Sequence, residues 1–148
     1  RYLSEHWDVI EDAAAEAGTA VDRSDWRIAR DVFIAETDEL ARERAKAVLG
    51  RNYIQHQLPN RANSGQIQNA KINDNVADDD LDVDYMIDNI WIVGGPKECA
   101  EKIRNLYNEV GGFGHLLAIT QDPDDPSWEH ETLDLLKEEV APLVADLV

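Results

Sequence analysis

The sequence predicts an α/β protein built on a parallel sheet. Three short apolar runs, residues 32–35, 90–93 and 116–119, are bounded by turn residues and carry the β-branched side chains of buried strands. Around them lie stretches whose apolar residues recur at helical spacing. One such stretch joins the second and third runs. That makes a strand–crossover helix–strand unit, with parallel strands and a right-handed connection.

Each element has local support. Leu3, Trp7, Ile10, Ala14 and Ala17 share one face of a first helix that Gly18 ends, with Ser4 as its expected N-cap. The polar sequence Trp26-Arg27-Ile28-Ala29-Arg30 leads into the first strand. Thr37-Asp38-Glu39 caps the next helix, whose apolar positions are Ala41, Ala45, Val48 and Leu49. Gly50 interrupts it, and Tyr53 and Ile54 extend the pattern by a turn. The crossover helix is the best defined. Pro96 suits its first position, Glu98 complements the helix dipole, and Cys99, Ile103, Leu106, Tyr107 and Val110 form its apolar face before Gly111-Gly112. After Thr120, Asp122-Pro123-Asp124-Asp125-Pro126 is a turn-rich connection. The last helix places Leu133, Leu136, Val140, Leu143, Val144 and Leu147 on one side, and Pro142 kinks or divides it.

Residues 58–84 differ in character. They hold few apolar residues and no sustained period, which predicts a mobile segment without regular structure over most of its length. Asp74, Asp78, Asp79, Asp80, Asp82 and Asp84 lack the glycine and terminal glutamate of an EF-hand loop, so no metal site is expected.

Composition bounds the function. A chain of 148 residues suits a single domain, 1–148, and 43% hydrophobic content with four tryptophans fits a globular protein. The 31 acidic residues outweigh 14 basic ones to give −17, which offers no footprint for nucleic acid or an anionic membrane and reads as a solubilising surface. No apolar run approaches the roughly 20 residues of a membrane span. Cys99 stands alone, so no intrachain disulfide forms and a reducing, cytoplasmic setting is expected. The chain opens on Arg1, directly in a helical pattern, and reads as a piece of something longer.

Ile92-Val93-Gly94-Gly95-Pro96-Lys97-Glu98-Cys99, then a helix, then Gly111-Gly112-Phe113-Gly114-His115-Leu116-Leu117 resembles the last strand–helix–strand of the bacterial luciferase-like flavin monooxygenases. The stretch from Trp26 through Arg30-Asp31-Val32-Phe33-Ile34-Ala35-Glu36-Thr37-Asp38 resembles that family's preceding strand and helix start. Glu138-Glu139-Val140-Ala141-Pro142 matches near the end. The resemblance implies the C-terminal portion of a (β/α)8 TIM-type barrel, with the three runs as strands six, seven and eight and strands one to five absent. Residues 58–84 then match a mobile lid loop over the flavin site. Also implied are FMN as cofactor, dioxygen as co-substrate, and a small organic substrate that is oxygenated. Two alternatives stand beside this. One is a deazaflavin-dependent oxidoreductase of the same superfamily; the other is a non-catalytic half-barrel that associates with another chain. The open edges and uncovered inner face of a partial barrel imply a homo-oligomer.

Barrels of this type place their active sites at the C-terminal ends of the strands. Three loops then qualify: Glu36-Thr37-Asp38, Gly94-Gly95-Pro96 and Thr120-Gln121-Asp122. Gly94, Gly95 and Pro96 are the candidate cofactor-binding residues, because a helix N-terminus with free N–H groups receives an anion. The competing reading is a tight turn that needs glycine. The Gly111-Gly112-Phe113-Gly114 turn precedes its strand and reads as structural. His6, His56, His115 and His130 lack zinc or triad spacing, although His56 lies where the lid begins. Cys99 reads as a buried inert thiol, and Trp26, Trp91 and Trp128 as core or interface residues. No catalytic residue is identifiable here; those near the reacting atoms are expected in the absent strands.

Overall fold

The computed structural model describes residues 2–147. The first helix, α1 (Tyr2–Ala17), buries Trp7 and Ala14, while Ala17 is exposed. It starts before Ser4, whose side chain lies outside the described set. Strand β1 (Arg27–Ile34) is longer than the apolar run predicts, because its polar first half also pairs. Helix α2 (Asp38–Ala45) is capped by Thr37, whose Oγ1 accepts the Leu40 N–H at 3.2 Å.

From Asp38 the chain stays helical through residue 63, so Gly50 does not interrupt it. Two π turns, Lys46–Gly50 and Tyr53–Gln57, lie within this run, and α3 (Leu58–Asn63) closes it. Tyr53 is fully buried, but Ile54 points to solvent. Each π turn shifts the register by one residue, which is why the extrapolated period fails there. Residues 58–84 are also more ordered than their composition suggests. Beyond α3 they form 3-10 turns at Ile67–Ala70 and Asp78–Asp80, and they bury Ala70, Lys71 and Leu81. Side chains supply what an apolar period does not. The Tyr53 hydroxyl donates to Leu81 O at 2.9 Å, the Ile72 N–H donates to Tyr85 Oη at 2.8 Å, and Lys71 pairs with Asp78.

Helix α4 (Val83–Asn89) leads into the three-residue strand β2 (Ile92–Gly94), then α5 (Pro96–Val110) and β3 (His115–Ile119). Strands taken in sequence around a barrel would pair in the order β1-β2-β3. The observed order is β2-β1-β3, with all pairs parallel, so β2 is an edge strand and not the stave between β1 and β3. Strand length explains this. Arg27 to Asp31 pair with His115 to Ile119, and the next three residues, Val32 to Ile34, pair with Ile92 to Gly94 on the opposite edge. Helix α5 therefore crosses β1 on its way to β3.

Helices cover both faces of the upper sheet. On one side Phe33, Ala35, Trp91 and Val93 pack against Ala41, Leu49, Tyr53 and Met86. On the other, Val32, Ile34 and Ile92 meet Cys99 and Ile103 of α5 and Val140 near the C terminus. Pro142 does not divide the last helix: α6 (Ser127–Leu135), a π turn (Leu136–Val140) and α7 (Ala141–Leu143) follow without a break, the wider turn lying just before the residue that lacks an N–H. That π turn breaks the single face, leaving Leu133 and Leu143 exposed while Val140 is buried. The lower sheet is covered on one face alone, where Ile28 packs with Val110 and Phe113. Its other face presents Ala29, Leu117 and Ile119 to solvent, the last two 48% and 41% exposed.

Candidate functional site

A cleft of about 620 Å³ lies beside the half of β1 that β2 leaves unpaired. Ala29, Arg30 and Asp31 of β1 form one wall, with residues 90–92 above them and one side of α5 beside them. Arg61, Gln66, Asn69, Lys71 and Ile72, all from the 58–84 segment, form the facing wall. Ile119 closes the cleft from β3.

A short polar chain enters this cleft from the C-terminal end of β3. Asn52 Nδ2 donates to Gln121 Oε1 at 2.9 Å, and Gln121 Nε2 donates to Asp31 Oδ1 at 3.2 Å. Burial pushes the Asp31 carboxyl above the ordinary carboxylate range. The Gln121 bond, the Arg61 and Arg30 charges and the residue's own N–H oppose that rise. Burial likewise lowers the Arg30 guanidinium, against the pull of Glu109 and Asp31. The other cations of the cleft are committed within the chain. Arg30 Nη1 donates to Ala29 O at 3.0 Å, Lys71 pairs with Asp78, and Lys102 Nζ donates to Ile87 O and Val93 O at 2.9 Å each. Arg61 makes no salt bridge among the described residues and acts on Asp31 through its charge alone.

The Gly94-Gly95-Pro96 turn opens elsewhere, on a smaller cavity of about 340 Å³ lined by Asp38, Glu39, Asp88 and Glu98 with Arg42 and Lys102. The Gly95 N–H donates to Asp38 Oδ1 at 2.7 Å, so the anion at this turn is one the chain supplies itself. A Cβ on Gly94 would sit 2.7 Å from Glu98 Cγ, and its φ of +156° is rare for other residues. Arg42 is paired with Asp84 and Asp88, which leaves this cavity acidic.

Of the other loops named from the sequence, Thr37 serves as a helix cap, Thr120 Oγ1 donates to Glu129 at 2.7 Å, and Gln121 reaches Asp31. His6 lines the cleft; His56, His115 and His130 are exposed. Burial pushes the Cys99 thiol up to about 12, as suits an unreactive side chain. Trp91 stacks edge-on against Tyr53 at 5.6 Å, Trp128 against Phe33 at 6.5 Å, and Trp26 lies 5.2 Å from Trp7. Sequence reasoning missed Asp31, Asn52 and Arg61. A charged residue inside a strand, Asp31, was the one signal available for them.

A small parallel sheet clad in helices, with one large cleft at a strand edge, defines the structural class. Comparison gives the family. Residues 2–112 match the family model of the luciferase-like monooxygenases. The chain is 32% identical over 144 residues to the 3,6-diketocamphane 1,6-monooxygenase of Pseudomonas putida, covering 96% of this chain and 38% of that one. It is 32% identical over 147 residues to the limonene 1,2-monooxygenase of Rhodococcus erythropolis, covering 95% and 34%. Among solved structures it superposes, with a TM-score of 0.86 and 32% identity, on the oxygenating constituent of 3,6-diketocamphane monooxygenase from the CAM plasmid of Pseudomonas putida. That protein is a type II Baeyer–Villiger monooxygenase in complex with FMN, and the match covers 96% of this chain and 40% of that one. The chain belongs to the luciferase-like monooxygenase family, and it spans less than half the length of these relatives.

Proposed function

We propose that this chain is part of an FMN-dependent monooxygenase that uses reduced flavin and dioxygen to oxygenate a small organic substrate. The observation that carries the reading is the match, over 96% of the chain, to a monooxygenase in complex with FMN. The relatives' names favour oxygen transfer over the hydride transfer of a deazaflavin enzyme.

The residues of the cleft suit such a cofactor in kind. Its volume of about 620 Å³ falls within the roughly 300–1,000 Å³ of small-molecule sites. Arg61 offers a cation to an anionic group, Ala29, Trp91 and Ile119 offer apolar wall, and Asp31 with Gln121 offers hydrogen bonds. The bound flavin would supply the electrons and the reactivity toward dioxygen. The chain's own part is to bind, to orient and to exclude water. We assign that last role to residues 58–84, which supply the facing wall as a lid.

The strand order requires a revised barrel reading. Here β1 and β3 are neighbouring staves of the C-terminal portion of a (β/α)8 barrel, and β2 is an added edge strand. The exposed face with Ala29, Leu117 and Ile119 is then the inner face of the barrel. That same face favours a second reading, a half-barrel whose apolar surface is covered by another copy. Sedimentation at micromolar concentration tests it: a homo-oligomer is expected, and a clean, well-folded monomer contradicts it. For the main reading, FMN and a deazaflavin are titrated separately and followed by absorbance. Binding of FMN is expected; binding of the deazaflavin alone would overturn the assignment.

A further inference from the structure

The polar chain ending at Asp31 is built to hold a carboxylate still. Asn52 donates to Gln121 Oε1, which fixes the amide so that its Nε2 faces Asp31. Asp31 itself sits in the middle of β1, held in register against Ile119, so its position is set by the sheet. The cleft around it is walled in part by Ala29, Trp91 and Ile119. Among the described residues, nothing donates a side-chain hydrogen bond to Oδ2. Of the cations of the cleft, Arg30, Lys71 and Lys102 are committed to other partners, and Arg61 acts on Asp31 through its charge without a hydrogen bond. A carboxylate on the wall of a cleft, with one oxygen held and the other unpaired, is an acceptor that a ligand's donor can use.

We propose that Asp31 is a ligand-binding residue, accepting a hydrogen bond from an N–H or O–H group of the molecule held in the cleft, and that Gln121 is its positioning residue. This rests on reading the cleft as the small-molecule site. Two sources share that chemistry: the imide N–H of a flavin and the hydroxyl of an organic substrate. The rival role for Asp31 is purely local, a charge that shields the unpaired edge of β1 together with Arg30.

The test is a pair of titrations on the full chain, FMN followed by flavin fluorescence and cyclohexanol followed by backbone amide NMR shifts. Wild type is compared with Asp31→Asn, Asp31→Ala and Gln121→Leu. Asp31→Asn is isosteric and keeps the fold, so it carries the comparison. The expected result is binding of at least one probe to wild type, weakened about tenfold by Asp31→Asn, since bonds to charged groups exceed neutral ones by about one such step. Asp31→Ala should weaken it further, and Gln121→Leu in the same direction but less. Loss confined to FMN assigns the donor to the flavin, and loss confined to cyclohexanol assigns it to the substrate. Asp31→Asn binding both probes within twofold of wild type would overturn the proposal and leave the flavin reading standing. Binding of cyclohexanol that depends on Asp31, with no binding of FMN, would overturn the flavin reading alone. Binding of neither probe by wild type would overturn both.

Discussion

Thr132 pairs with Ile34 as a neighbouring strand would. Its Oγ1 accepts the Ile34 N–H at 3.1 Å and donates to the Ile34 carbonyl at 3.0 Å, and Thr132 is 1% exposed. The bond pair falls where β3 has already ended, since Ile119 pairs with Asp31 three residues earlier. Helix α6 thus closes the upper edge of β1 with a single side chain.

Replacing Thr132 by valine keeps the volume and leaves both Ile34 groups buried without partners. At about 1–3 kcal/mol for each of the two orphaned buried groups, the loss should be about 2–6 kcal/mol. Serine at the same position should recover most of it. Urea unfolding of the three proteins is the measurement, and a loss below about 0.5 kcal/mol for Thr132→Val would show that the pairing contributes little.

Asp31 should cost stability at neutral pH. Its folded pKa is raised above the ordinary value of 3.8, so the folded state holds its proton more tightly than the unfolded one. Stability from this group is greatest below 3.8 and falls as pH rises through the folded pKa. Asp31→Asn removes the penalty, so the variant should melt higher than wild type at pH 7, with the gain shrinking as pH drops toward 3.8. A gain that grows in acid would reverse the assignment. The difference between the two proteins cancels the exposed aspartates, such as Asp84, Asp125 and Asp146, whose partners hold them low.

Cys99 should resist thiol reagents in the folded protein. It is fully buried, its thiol is pushed up to about 12, and its Sγ–H donates to Gly94 O at 3.4 Å. Labelling at pH 8 is expected to track global unfolding across a urea series. Rapid labelling without denaturant would mean that α5 opens from the sheet on its own.

These features divide by how far apart their residues lie in sequence. Helix α5 was legible because Pro96, Glu98, the apolar spacing and Gly111 all sit within it. The three strands were legible as apolar runs but not in their bounds: Ile90 and Trp91 precede β2, and the first half of β1 was missed because Arg27, Arg30 and Asp31 break the pattern. Strand order was beyond local reading. It depends on β1 being long enough to hold β3 and β2 on different halves and opposite edges. The pairing of Asp38 with Gly95 joins residues 57 apart, and that of Thr132 with Ile34 residues 98 apart. The candidate anion turn at Gly94-Gly95-Pro96 therefore looked open from sequence, although a carboxylate from α2 lies against it. The polar chain from Asn52 to Asp31 was hidden for the same reason, with only Gln121 in a loop that the barrel resemblance pointed to.

Residues 58–84 should exchange their amide hydrogens unevenly. Ala70, Lys71 and Leu81 are buried anchors, while residues 64–69 and 72–80 are mostly exposed. Fast exchange in those two stretches, slower exchange at the anchors and slowest exchange in β1 is the pattern a hinged lid gives. Protection throughout the segment equal to that of β1 would rule the lid out.

We propose above all that this chain is part of an FMN-dependent monooxygenase and does not turn over by itself. Product analysis under ¹⁸O-labelled dioxygen tests it most directly, with FMN, a reductant and a panel of aldehydes and terpenes. The 148-residue chain is compared with the product of the full reading frame that encodes it. One labelled oxygen atom per product molecule is expected from the full reading frame, at about 1 s⁻¹ or faster, with nothing above the enzyme-free control from the chain alone. Unlabelled product from the full reading frame, or turnover at that rate by the 148-residue chain, would contradict it.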